Sequence, residues 1–404
     1  MEQLFRGRVI TPEAEIADGV LVAGADGLIS WVGPAEELPA RWADQRPVAA
    51  PDRLLLPGLV DVHNHGGGGA SFPDAAGRDE VEQAIAEHRR HGTTRMLASL
   101  VTAPDEVLLA RAELLAPLVA AGEIEGVHAE GPFLAAARCG AQNPEFLRDG
   151  DPSLVSALAE ALAGRLVTMT VAPDVPGNDE VIEALVAAGS LPSYGHTDAD
   201  AAQMRSAVER GSGLLAGSGR RATVTHLCNG MAPMHHRTPG PVPVALAAAA
   251  AGELVVELVA DGAHLHPELV RDVFTLVGAQ NIALVTDAMA AAGMSDGHYR
   301  LGSLEVEVAG GVARLAEGGS IAGGTAHLLD VLRTTVAGGV PLVPAVRAAS
   351  LTPAEVIAPA VDGEPFGALR PGYRADVLVT DADLQVVAVW RDGERVPGAG
   401  QPSA

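Results

Sequence analysis

The stretch Leu54-Leu55-Leu56-Pro57-Gly58-Leu59-Val60-Asp61-Val62-His63-Asn64-His65 is apolar almost to its end, then closes on two histidines and runs into Gly66, Gly67, Gly68 and Gly69. Read as a strand from Leu54 to His63, such a run needs both of its faces buried, the condition of a parallel sheet covered by helices. Two histidines one residue apart on a strand project to the same side, so both imidazoles can reach a single cation. The glycines that follow strip the rim of side chains and let a ligand approach the backbone. Taken alone, the pair also fits a polar, glycine-rich turn.

Working outward, seven more runs of strand length follow: Thr94 to Leu100, Gly126 to Glu130, Val167 to Ala172, Ser193 to His196, Thr223 to Leu227, Leu254 to Asp261 and Ile282 to Asp287. Helical patterns fill the gaps, among them Asp79 to Arg90, Pro104 to Ala121 and Asp198 to Arg210. Strand alternating with helix eight times predicts an α/β fold, a (β/α)8 TIM-like barrel; an open doubly wound sheet is the competing arrangement. Residues 1–56 and 359–404 have a different texture. Short alternating segments (Leu4 to Ile10, Gly19 to Val22, Gly27 to Val32, Ala375 to Thr380, Val386 to Trp390) are separated by turn residues, and they predict one small β-sandwich domain built from both termini around a barrel over 57–358. After the eighth strand, His298 to Leu315 reads as an inserted hairpin turning at Ala309-Gly310-Gly311, before a helix opened by Gly323-Gly324-Thr325.

Composition removes whole classes of chemistry. All 27 basic residues are Arg, so a Schiff-base lysine, a Walker-A loop and a carbamylated lysine bridge are excluded together. A formal charge of −24 opposes binding to nucleic acid or an anionic membrane. Two scattered cysteines, Cys139 and Cys228, and an N-terminus without an apolar signal core predict a cytoplasmic protein.

In a barrel the C-terminal strand ends converge on one mouth, and polar residues there decide the chemistry. They are His63 and His65 after the first strand, Glu130 after the third, His196 after the fifth, His226 after the sixth and Asp287 after the eighth. Two imidazoles and a carboxylate (His196, His226, Glu130) with a position left for water suit a catalytic Zn2+ or Fe2+ ion. His63 and His65 can hold a second divalent ion, with Glu130 as the remaining anionic bridge. Asp287 ends an apolar run and, beside a cation, can take a proton from water and return it to a leaving group. His88, His91, His298 and His327 are read as surface or supporting residues.

These residues in this order, carried by Pro57-Gly58-Leu59-Val60-Asp61-Val62-His63-Asn64-His65-Gly66, His128-Ala129-Glu130-Gly131-Pro132-Phe133, Gly195-His196-Thr197, Thr225-His226-Leu227-Cys228-Asn229-Gly230-Met231, Ala260-Asp261-Gly262-Ala263-His264 and Val285-Thr286-Asp287-Ala288, resemble the amidohydrolase superfamily and, within it, the N-acetylglucosamine-6-phosphate deacetylases. The resemblance implies hydrolysis of the acetamide of an N-acetylated amino-sugar phosphate, with one or two divalent ions per subunit and a homodimer whose neighbour helps close the phosphate pocket. It implies Asp287 as proton shuttle, and Asn229, Gly230, Arg237 and His264 as holders of the phosphorylated sugar. Ile321, Ala322 and Gly323 are implied to face the N-acetyl group. The segment Ala136 to Pro144, which includes Ala141, resembles the family's lid, but Gln142 stands where the family usually has a substrate-binding histidine. A deacetylase of the galactosamine epimer or of another amidohydrolase substrate, and a non-catalytic sugar-phosphate sensor, are the competing functions.

Overall fold

The computed structural model describes residues 2–48, 52–358 and 363–401. Eight parallel strands form one sheet in strict sequence order: Leu59–Asp61, Thr93–Leu100, Gly126–Glu130, Leu166–Val171, Leu191–Tyr194, Ala222–Val224, Leu254–Leu258 and Ile282–Leu284. The seam between the last and first strands closes just beyond their ends. There Asp287 N donates to His63 O (3.0 Å), His65 N donates to Ala288 O (2.7 Å), and Thr286 Oγ1 donates to the buried Asp61 carboxylate (2.6 Å). Helices cover the outside, and every residue of the eight strands is buried, which is why their sequences carry no polar alternation.

A separate domain comes from the two ends of the chain. Its strands Gln3–Ile10, Glu15–Ala23, Ile29–Pro34, Leu54–Pro57, Val377–Thr380, Val386–Arg391 and Glu394–Arg395 form one seven-stranded sheet. That sheet folds back on itself: Phe5 and Trp390, on strands with two others between them, meet edge to face with centroids 4.9 Å apart over a core that includes Leu21, Leu55 and Val377. The boundary expected at 56/57 falls within the strand Leu54–Pro57, and that expected at 358/359 adjoins residues outside those described.

Two expected elements differ from the structure. The run Leu54 to His63 is two strands. Leu54–Pro57 pairs with Val377–Thr380 in the terminal sheet, whereas Leu59–Asp61 pairs with Thr93–Leu100 in the barrel. The break lies at Gly58, whose N–H donates to Asp376 O (2.9 Å) and where a Cβ would stand 2.2 Å from Thr94 Oγ1. Apolar content is continuous across this crossover because both sides are core. The helix expected from Gly323 begins instead at Leu328, since Gly324 bridges Ala288 and a Cβ there would lie 2.3 Å from Thr286 O. The insertion is a three-stranded sheet, Gly297–Leu301, Leu304–Ala309 and Val312–Leu315, with the expected turn at Gly310-Gly311 and an earlier one at Gly302-Ser303. Both Gly310 and Gly311 have positive φ, as a two-residue hairpin turn of this hand requires. Among the described residues, no helix is long and apolar enough to cross a membrane.

Arg95 fixes the terminal domain to the barrel. Its guanidinium is 5% exposed and donates to Asp376 (2.7 and 3.1 Å), Glu125 (3.1 Å) and Asp392 (2.5 Å). Removing the cation leaves buried carboxylates uncompensated, a change that costs about 3–5 kcal/mol. Arg95→Met is therefore expected to lower the thermal midpoint by several degrees, read by differential scanning fluorimetry; an unchanged midpoint would remove Arg95 as the fastener.

Candidate active site

At the C-terminal mouth of the barrel, ring nitrogens and carboxylate oxygens of six residues gather in two groups that share Glu130. Glu130 Oε1 lies 2.9 Å from His196 Nε2 and 2.9 Å from His226 Nε2, and these two nitrogens are 3.1 Å apart. On the other side of the same carboxylate, Glu130 Oε2 lies 3.2 Å from His65 Nε2, which is 3.1 Å from His63 Nε2. Asp287 Oδ1 completes this second group at 3.3 Å from both nitrogens.

The backbone explains the convergence. Glu130 is the last residue of its strand, and His196, His226 and Asp287 lie two or three residues past theirs, with φ of 47°, 28° and 49°. Each of these left-handed conformations costs of order 1–3 kcal/mol in a non-glycine residue and turns the chain at the strand end. Gly230 is required beside them: a Cβ there would sit 2.9 Å from His196 Nδ1.

The proton inventory decides what this cluster is for. His196 Nδ1 donates to Arg138 O (2.7 Å) and His65 Nδ1 donates to Ser99 O (3.2 Å), and a carbonyl can only accept. His63 Nδ1 donates to Glu257 Oε2 (3.0 Å). With those protons on Nδ1, the Nε2 atoms of neutral His63, His65 and His196 carry lone pairs. They face one another and two carboxylates, which is repulsive unless an extra proton or a cation stands among them. His226 has no partner at its buried Nδ1, so every polar contact of its ring lies on the same side. Donors sharing a tetrahedral ion at ~2.1 Å lie roughly 3.4 Å apart, and the separations here, 2.9 to 3.3 Å, come near that spacing. Two donor sets result, Glu130 with His196 and His226, and His63, His65, Asp287 with the same Glu130.

Electrostatics agree. Burial would raise the pKa values of Glu130 and Asp287, but the positive charge of His63 and hydrogen bonds from the other imidazoles hold both below the usual carboxylate range. Burial disfavours charge on His63, yet Asp287 and Glu130 outweigh it and raise that pKa well above the ordinary value. A site that attracts extra protons this strongly attracts a divalent cation for the same reason.

The cavity over this cluster has a volume of about 290 Å³, and most of the expected site residues reach it: His65, Glu130, Ala141, Gln142, His196, His226, Asn229, Gly230, His264, Asp287, Ile321 and Gly323. His63 lies beneath it, fully buried. His264 Nδ1 is held by Asp261 (2.8 Å), with Nε2 3.8 Å from Asp287 Oδ2. Two expected contacts differ, those of Ala322 and Arg237. Ala322 points away into the apolar cluster under the insertion with Leu301 and Val306, its N–H donating to Ala313 O (3.0 Å). Arg237 is exposed on the 232–240 loop, beside a different cavity with Asp198 and His235. Gln142 is buried and bonded at both ends, donating from Nε2 to Glu130 Oε2 (2.6 Å) and accepting at Oε1 from Thr102 N (2.8 Å).

Sequence reading missed the layer beneath. Glu257 Oε2 accepts from His63 Nδ1 and from His226 N (3.1 Å), so one carboxylate orients a ligand of each set. A glutamate inside the apolar run Leu254 to Leu258 was the available signal. His128, fully buried, bridges Ser99 Oγ (3.0 Å) and Thr170 Oγ1 (2.8 Å) and packs edge-on to His63; burial and the charge of His63 push its pKa well down, so it stays neutral.

Parallel barrel, converged strand ends and a cation-demanding cluster with an adjacent carboxylate define a metal-dependent hydrolase. A model of the amidohydrolase family matches residues 54–396, and the chain belongs to that family. It is 34% identical over 334 residues, 78% of each chain, to N-acetylglucosamine-6-phosphate deacetylase of Bacillus subtilis. It is 33% identical over 403 residues, 98% of this chain and 99% of the relative, to N-acetylgalactosamine-6-phosphate deacetylase of Escherichia coli O157:H7. Among solved structures, N-acetyl-D-glucosamine-6-phosphate deacetylase of Mycobacterium smegmatis superimposes with a TM-score of 0.88 at 40% identity, covering 98% of this chain and 100% of that one. A variant of the same enzyme, in complex with N-acetyl-D-glucosamine-6-phosphate, gives 0.87 at 39%, covering 98% and 99%.

Loss of a residue that orients a metal-ligating histidine typically weakens the site ~10–100-fold. Glu257→Gln, which keeps the shape but loses the charge, is expected to lose metal to a chelator at correspondingly lower concentration, measured by elemental analysis. Retention equal to wild type would show that Glu257 orients nothing of consequence.

Proposed function

We propose that this protein hydrolyses the acetamide of N-acetyl-D-glucosamine 6-phosphate to D-glucosamine 6-phosphate and acetate, as a cytoplasmic homodimer. The observation that carries the reading is the contact of Glu130 Oε1 with both His196 Nε2 and His226 Nε2 (2.9 Å each), next to Asp287. The substrate assignment is supported by the relatives named N-acetylglucosamine-6-phosphate deacetylase and by the M. smegmatis complex.

In this reading Glu130, His196 and His226 hold one Zn2+ or Fe2+ ion, and His63 and His65 can take part in a second position. A divalent ion bound there would polarise the amide carbonyl and lower the pKa of water toward ~7. The remaining work falls to side chains of this chain. Asp287, ionised at neutral pH, accepts the proton of the attacking water on a carboxylate oxygen and delivers it to the departing amine nitrogen, so that acetate and a free amine leave. Asp261 keeps His264 oriented toward Asp287 and favours its charged form against burial, which makes His264 a donor to the sugar. Asn229 and Gly230 bound the sugar side of the cavity, while Ile321 and Ala141 offer a small apolar wall to the acetyl methyl.

Arg237 lies outside its own chain's cavity, so we assign it to the phosphate in the partner subunit's cavity, where its fork matches phosphate oxygens. Bringing that loop to a second copy supplies positive charge that the chain's −24 otherwise denies an anionic substrate. The galactosamine epimer is the competing substrate, favoured by the near-full-length similarity to the E. coli O157:H7 enzyme.

Acetate release from both epimers under identical conditions tests the assignment: higher kcat/KM for the glucosamine compound is expected, and the reverse order would transfer the activity to the galactosamine compound. Asp287→Asn should keep its metal and lose about 10²–10⁴-fold in kcat; near-normal turnover would remove it as proton carrier. Arg237→Ala should raise KM for the phosphorylated substrate far more than for the free sugar. Mixed dimers of Arg237→Ala with Asp287→Asn should regain activity, because one of their two cavities receives both intact residues; no recovery would place Arg237 in its own chain's site.

A further inference from the structure

The loop 136–147 bonds to two residues of one donor set. Gln142 Nε2 donates to Glu130 Oε2 (2.6 Å), while Gln142 Oε1 accepts from Thr102 N (2.8 Å). Arg138 O accepts the Nδ1 proton of His196 (2.7 Å), and Ala135 N, just before the loop, donates to His196 O (2.9 Å). Gly140 packs on the same ring: a Cβ there would stand 3.1 Å from His196 Cε1. Of the three residues Glu130, His196 and His226, two are therefore held from outside by one short segment.

These bonds are the buried part of the loop's attachment. Gln142, Glu130 and His196 are 3%, 3% and 4% exposed, so a donor or acceptor that loses its partner there bears the desolvation cost of an unsatisfied buried group. The outer attachments are weaker. Arg138 pairs with Asp198 (2.7 Å) and Asn143 Nδ2 donates to Ser303 Oγ (2.8 Å), both at exposed positions, where such contacts add little. What keeps the loop down is its grip on Glu130, Thr102 and His196.

We infer that Gln142 is a positioning residue that couples closure of the loop 136–147 to retention of the ion held by Glu130, His196 and His226. With Glu130 Oε1 and His196 Nε2 engaged by an ion, Glu130 Oε2 stays available to Gln142, and the His196 Nδ1–H becomes a stronger donor to Arg138 O. Without an ion the same carboxylate is free to turn toward His65 Nε2, 3.2 Å from Oε2, and Gln142 loses a fixed acceptor. Linkage is reciprocal, so a closed loop raises the affinity for the ion by the same factor that the ion favours closure. Gln142 acts through Glu130 and needs no contact with the sugar. The inference rests on the ion assigned to those three residues, not on which epimer is the substrate.

Cys139 lies in the loop, partly exposed, and its reactivity reports opening. Full-length protein, stripped by a chelator or reloaded with Zn2+, is treated with iodoacetamide, and alkylation of the Cys139 peptide is timed by mass spectrometry. Cys228 is read from its own peptide and reacts slowly, because burial pushes its thiol up to about 11. Zn2+ is expected to slow alkylation of Cys139 at least ~5-fold, and Gln142→Met, similar in length but without donor or acceptor, to cut that effect below about two-fold. The same variant should release Zn2+ at ~10-fold lower chelator concentration. Equal Cys139 rates in stripped and reloaded wild type, with Zn2+ shown bound by elemental analysis, would overturn the coupling and leave the metal assignment standing; no bound Zn2+ would remove both. Protection that persists in Gln142→Met would place it on Cys139 itself and overturn the role of Gln142. If Gln142→Met fails to fold, the wild-type comparison still decides the coupling, and Gln142→Glu, which sets a second carboxylate against Glu130, is the variant expected to lose protection.

Discussion

Imidazole nitrogens stripped of their protons, gathered against a carboxylate that also has none, are the constraint on which this structure turns. The protons of His63, His65 and His196 are committed to Glu257, Ser99 and Arg138 on the far side of each ring. What remains pointing inward is lone pairs, and Glu130 stands between both groups. An extra proton on His63 relieves this in part, a divalent cation would do so more fully, and the same field keeps Asp287 ionised.

The scaffold serves that constraint in layers. The strand ends deliver the ligands, positive-φ turns at His196, His226 and Asp287 bring them round, and glycine at position 230 keeps the wall close. Beneath them a buried polar stratum of Glu257, His128, Ser99, Thr170 and Thr225 is bonded internally, so that few polar groups under the site lack partners. Burying so many polar groups is tolerable only when they satisfy one another, and it fixes ring orientations that a metal ion needs. Gln142 extends the same logic upward, since at the cavity wall it ties the 136–147 segment to Glu130 and to Thr102.

Much of this was readable in the amino-acid sequence because barrel strands are buried on both faces and announce themselves as apolar runs, so that a histidine or carboxylate at the end of one stands out. The candidate ligands and Asp287 were picked out that way, and the fold brings them together. Reading failed where the sequence signal is silent. The crossover at Gly58 has core on both sides, so hydrophobicity does not mark it. Gln142 was picked out by the resemblance of its segment to the family's lid, and no linear pattern reveals that its amide satisfies two buried partners. Ala322 and Gly323 are adjacent, but only one of them faces the cavity. Glu257 was visible as a charge within an apolar strand, and its meaning required knowing that His63 and His226 lie above it. His91 and His327, 236 positions apart in the sequence, meet only in the folded chain.

Anomalous diffraction at the metal absorption edge, from crystals of the active protein, tests the central claim most directly. The account predicts a peak at ~2.0–2.2 Å from Glu130 Oε1, His196 Nε2 and His226 Nε2 together. An active crystal with no anomalous scatterer in contact with those three atoms would contradict it.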